Sequence, residues 1–75
     1  MDINYINNTV GNYCKVFSKA KEVGKANIDF GIVKEIDKNN DLLLISSKNK
    51  IKKLKITNIL DVIEIEKLKY NSNSE

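Results

Sequence analysis

Apolar and polar positions along this 75-residue chain are arranged in short runs, and five of those runs have the length and the β-branched or aromatic content of strands. The first is Tyr13-Cys14-Lys15-Val16-Phe17, which follows a break at Gly11. The second covers residues 28–37 and contains Gly31. Towards its end Ile32, Lys34 and Ile36 alternate with Val33, Glu35 and Asp37, so apolar and charged side chains share both faces, as in a bent strand. Lys38-Asn39-Asn40 tolerate turn and left-handed backbone, which makes the segment a hairpin. The continuous run Leu42-Leu43-Leu44-Ile45 reads as a strand covered on both sides. After a turn at Lys48-Asn49 comes a strand with interleaved lysines, and after another at Thr57-Asn58 the run Val62-Ile63-Glu64-Ile65-Glu66 closes the set. The expected strands are therefore 13–18, 28–37, 41–47, 51–56 and 62–66.

Two segments are less regular. Ile3, Ile6 and Val10 fall on one side of a brief N-terminal helix that Asp2 would cap, against the poor helix propensity of Asn4, Asn7, Asn8 and Thr9. Residues 18–27 are polar, hold Gly24, and predict an exposed excursion between the first two strands. Five closely spaced strands without a single proline predict an all-β fold, a small five-stranded barrel whose closure protects strand edges. One domain over residues 1–70 is expected, with a disordered tail at Asn71-Ser72-Asn73-Ser74-Glu75.

Composition narrows the chemistry. A core this small leaves little stability margin, and with one cysteine and no histidine neither a disulfide nor a zinc site is available to reinforce it. Self-association into a homo-oligomer is the expected remedy, and no metal or cofactor is expected. No nucleophile-and-base pair or phosphate-cradling glycine loop is present, so the chain reads as a non-enzyme. Met1 and Asp2 lead into an Asn-rich stretch with no basic start and apolar run, and no segment reaches membrane-spanning length; a reduced, cytoplasmic protein is expected.

All thirteen basic residues are lysine, against ten acidic ones, for a net charge of +3. Lysine is a solvated point charge and lacks the planar fork with which arginine reads bases and phosphates. Lys48, Lys50, Lys52, Lys53 and Lys55 crowd one segment, either as the solvated face of a strand guarded against edge pairing or as a nucleic-acid patch. Phe17 and Phe30 are expected in the core, Tyr13 half-buried, Cys14 as a small buried apolar residue, and Glu64 and Glu66 on the outward face of their strand.

The spacing of Gly31, Val33, Ile36, Asp37, Asn39, Asp41, Leu42 and Leu44 resembles the first motif of the Sm-like (LSm) family of small RNA-associated barrels. Gly11-Asn12-Tyr13-Cys14-Lys15-Val16 is similar to the family's opening glycine and first strand, and the segment from Leu54 to Val62 is similar to its second motif. The resemblance implies an Sm-like barrel after a short helix, where the residues alone equally allow a Src-homology-3-like (SH3-like) one. It also implies ring-type association by strand pairing between residues 42–47 of one subunit and 62–66 of the next. In the family an aromatic or His stacks a base, an Asn hydrogen-bonds it, and an Arg-Gly pair completes the pocket. This chain places Asn39, Asp41, Lys55 and Ile56 at those positions. Without an aromatic, the stacking contribution of about 1–3 kcal/mol per base is lost. The function expected from the resemblance is oligomeric, low-specificity contact with single-stranded RNA through Asn39, Asp41, Lys55, Lys48, Lys50, Lys52 and Lys53. The alternative is a protein-interaction barrel, an adaptor or inhibitor, that does not bind RNA.

Overall fold

A computed structural model describes residues 3–65. The apolar runs form β1 (Tyr13–Lys19), β2 (Ala26–Asp37), β3 (Leu42–Ser47), β4 (Lys50–Lys55) and β5 (Ile59–Glu64), preceded by a helix α1 (Ile3–Asn7). All neighbours are antiparallel, in the order β4-β3-β2-β1-β5, and a single 3-10 turn at Ile56–Asn58 joins β4 to β5. The all-β, five-stranded architecture with its short leading helix is the one the hydrophobic pattern predicts.

Two breaks in the alternation bend this sheet into a barrel. Val33 lies opposite Ile45 and Glu35 opposite Leu44, so Lys34 is an extra residue on β2. That bulge spaces the inward side chains Val33 and Ile36 three apart, and it turns Lys34 and Glu35 both to solvent. The mixed faces of this segment in the sequence have this origin. A second shift lets Leu60 bulge from β5, so that Ile59 and Val62 both point inward.

Gly31 supplies the remaining freedom. A Cβ at this position would stand 2.6 Å from the Ser46 carbonyl oxygen, closer than any side chain tolerates, so only glycine lets β2 pass this near to β3. Residues 32–37 of β2 pair with β3, while residues 26–32 pair with β1. One strand therefore serves both halves of the barrel. The core between them is Ile6, Cys14, Val16, Val33, Leu43, Ile45, Leu54, Ile59 and Val62. Ile6 of α1 caps one end of the barrel, held by the Tyr5 hydroxyl donating to the Val62 carbonyl at 2.9 Å. The Gly11 N–H donates to the Val33 carbonyl at 2.7 Å, which ties the helix exit to β2.

Several expectations need correction. Phe17 and Phe30 are not core residues: with Cys14, Val16 and Ser18 facing inward, alternation sends Phe17 outward, and Phe30, opposite Lys15, is 43% exposed. The exposed excursion expected over residues 18–27 is confined to residues 20–25, because Ser18 pairs with Asn27 and Lys19 with Ala26, which main-chain bonds permit whatever the side chains. Val10 is exposed, since α1 ends at Asn7 before the helical repeat reaches it. The strand expected to offer an edge for subunit pairing, residues 42–47, is flanked by β2 and β4 on its two sides, so the unpaired edges belong to β4 and β5. Asp2, Glu66 and the tail at 71–75 lie outside the described residues.

Gly31→Ala is expected to destabilise the fold by about 1–3 kcal/mol, because the added methyl meets backbone that cannot yield independently. Urea unfolding followed by circular dichroism measures it. An unchanged midpoint would refute the close approach as the determinant of the bend.

Candidate nucleic-acid interface

The turn between β2 and β3 is organised by its two aspartates. The Asp37 carboxylate accepts the Asn40 N–H at 3.2 Å and the Asn40 side-chain amide at 2.8 Å. These bonds hold Asp37 below the usual carboxylate range, the side-chain bond contributing most. Asp41 adopts left-handed backbone at φ 59°. Its carbonyl accepts the Ile56 N–H at 2.9 Å, and its Oδ2 accepts the Thr57 hydroxyl at 2.8 Å and the Thr57 N–H at 3.4 Å. The 3-10 turn between β4 and β5 is thus clasped to the β2–β3 turn.

That clasp brings Asn39, Asp41 and Lys55 to one corner of the barrel, with Lys55 directly opposite Leu42 in the ladder. Asn39 and Lys55 are exposed there. The Asp41 carboxylate, in contrast, is used by Thr57, and it makes no bond to Lys55. It acts as a structural acceptor for Thr57.

Lys48, Lys50 and Lys52 do not join this corner, whereas Lys53 stands close enough for its charge to help hold the Asp37 carboxyl down. Lys48 and Asn49, with φ of 51° and 67°, form a two-residue turn with two left-handed positions at the far end of the β3–β4 hairpin, about 17 Å along the strand. Lys50 and Lys52 share the face of buried Leu54, whereas Lys53 and Lys55 share the opposite one. Lys52 is ion-paired, its Nζ 2.6 Å from Asp29 Oδ1, which spans from β4 to β2. The lysine run occupies an end strand, as the edge-guarding reading expects.

A feature absent from the expected site is the outer face of β5, β1 and β2. Ladder rows place Ile63, Lys15 and Phe30 side by side, then Asp61, Phe17 and Ile28, with Tyr13 beside Ile32. Lys15 Nζ lies 5.1 Å from the Phe17 ring centre and 5.8 Å from that of Phe30, a cation over two aromatic faces. The signal was present in the sequence: Lys15, two residues from Tyr13 and from Phe17, puts all three on the solvent side of β1.

Cys14 is buried; desolvation, reinforced by the charge of Glu64, pushes its thiol up and away from the reactive thiolate. Among the described residues no group of acidic, His or Cys side chains is placed to hold a metal ion, and no helix is long and apolar enough to cross a membrane. Neither protein-family models, nor curated proteins, nor solved structures match this chain.

Two outcomes follow from the clasp and the turn. Asp41→Ala should lower stability by about 1–2 kcal/mol in urea unfolding, through loss of the Thr57 acceptor and a Cβ-bearing residue without local hydrogen bonding at positive φ. Asp41→Asn, which keeps an oxygen and tolerates that φ, should cost less; equal losses would contradict the clasp. Because the folded-state pKa of Asp37 is depressed, its contribution is present above the unfolded carboxylate pKa and is lost as pH falls through the lower folded value. Asp37→Asn should therefore flatten the acid limb of the stability–pH profile, and an unaltered limb would contradict the assignment.

Proposed function

We propose that the protein is a non-enzymatic, self-assembling barrel of the Sm-like kind, in which β4 of one copy pairs with β5 of the next and the assembled lysines make weak, low-specificity contact with single-stranded RNA. The observation that carries this reading is the pair of open edges. β4 and β5 are the end strands, each six residues long, and each has a ladder partner on one side only. β4 carries Lys50, Lys52, Lys53 and Lys55, while β5 carries Asp61 and Glu64. An edge of one sign offered to an edge of the other favours head-to-tail association and disfavours pairing of like edges. Buried subunit surface also supplies stability that a barrel of this size, without disulfide or metal, lacks.

Contact with RNA rests on Lys48, Lys50, Lys53 and Lys55, which are exposed and have no ion pair among the described residues, and on Asn39 as an exposed amide at the turn. Lys52 contributes less, being committed to Asp29. With no aromatic among the described residues of the β2–β3 turn and the Asp41 carboxylate taken by Thr57, base preference is expected to be slight. The apolar outer face around Phe30 and Ile28 favours a second reading, a protein-interaction barrel that does not bind RNA.

Light scattering should give a mass several times that of one chain at high micromolar concentration. Asp61→Lys with Glu64→Lys should reduce it to the monomer, and adding Lys53→Glu and Lys55→Glu to the same chain should restore assembly with the signs exchanged. A monomeric wild type sinks the assembly. Fluorescence anisotropy with oligouridylate should show affinity falling with salt, at a logarithmic slope of about −0.7 per phosphate neutralised. Absence of binding at low salt moves the reading to the protein partner.

A further inference from the structure

β2 has an open edge of its own, beside those of β4 and β5. Only residues 32–37 of this strand pair with β3, so residues 26–31 have a partner on the β1 side alone. The direction of their peptide groups follows from Val33, whose N–H donates to the Asn12 carbonyl at 3.0 Å and whose carbonyl accepts the Gly11 N–H at 2.7 Å, both on the β1 side. Alternation along the unbroken β1–β2 ladder then turns the N–H and C=O of Phe30 and Ile28 the opposite way. They face a cleft of about 610 Å³ whose far wall is the β3–β4 hairpin, with Ser47, Lys48, Lys50 and Ile51.

The chemistry of that cleft selects its occupant. Unpaired main-chain donors and acceptors at strand spacing suit an extended polypeptide, which a nucleic-acid backbone cannot imitate. Lys48, Lys50 and Lys52 face Asp29 as the one carboxylate in the lining, and it is already paired with Lys52. Asp29 lies at the floor, its side chain 14% exposed, and its buried Oδ2 has no hydrogen-bond partner. The walls otherwise offer Ile28, Phe30, Ile51 and Tyr13.

We propose that this cleft binds an extended, acidic segment of a partner protein, which adds a strand to residues 26–31 of β2, sets carboxylates against Lys48 and Lys50, and lays alternate aliphatic side chains on Ile28, Phe30 and Ile51. The β2 edge that would be extended is distinct from the outward edges of β4 and β5, although Lys50 and Ile51 of the far wall belong to β4.

A blocked hexapeptide of alternating glutamate and valine tests it by amide NMR titration of the whole chain. Saturable shifts and slowed exchange are expected at the Ile28 and Phe30 amides, with smaller changes at Asn27 and Asp29, whose groups already bond to β1. Lys48→Asn combined with Lys50→Gln keeps a turn-compatible residue at position 48, and it should weaken binding about tenfold, the sum expected of two screened ion pairs. The proposal is overturned by any of four results: no response at millimolar peptide, an equal response to a lysine–valine hexapeptide, a tighter response of the same amides to oligouridylate, or the same shifts on raising protein concentration alone, which would make the occupant a second copy.

Discussion

The passage of β2 beside the Ser46 carbonyl at Gly31 is the constraint on which the rest of the molecule depends. A flat sheet of five strands would expose one face of every strand, and this chain has too few large apolar residues to cover two faces. Bending β2 lets one strand pair with β1 by its first half and with β3 by its second. The two halves then enclose a single core with Val16, Val33, Leu43 and Ile45 at its centre. The Lys34 bulge completes the bend by keeping Val33 and Ile36 on the inside despite their odd spacing.

The same bend creates the open edges and the cleft. Because β2 joins β3 only from Ile32 onward, its first half leaves an open edge and a cleft, and Lys52 reaches across to Asp29 at the floor. Because the curled sheet ends in β4 and β5 without joining them in a ladder, two edges of opposite charge stay available. The Asp41–Thr57 clasp holds the connector between those end strands against the β2–β3 turn, so the relative placement of β4 and β5 is set by a side-chain bond as well as by the ladder. An aspartate standing where the resembled family reads a base thus serves the shape of this barrel.

What the sequence determined by itself was local. The five strands, the turns at Lys38-Asn39-Asn40 and Lys48-Asn49, the burial of Cys14 and the exposure of the β4 lysines follow from short-range patterns of polarity and turn chemistry, which need no knowledge of distant residues. Tertiary structure decided which side of each strand is inside and which groups meet. Phe17 and Phe30, large and apolar, were natural core candidates, yet the phase set by Cys14 and Val16 faces them outward, and a barrel this narrow is filled by smaller side chains. Asp41 meets Thr57 sixteen positions away, Lys52 meets Asp29 twenty-three away, and the lysines of one sequence cluster divide between two faces and two ends of a hairpin. Those pairings depend on a register that bulges at Lys34 and Leu60 reset by one residue each, and a one-residue shift moves a side chain to the opposite face without leaving any mark in local composition.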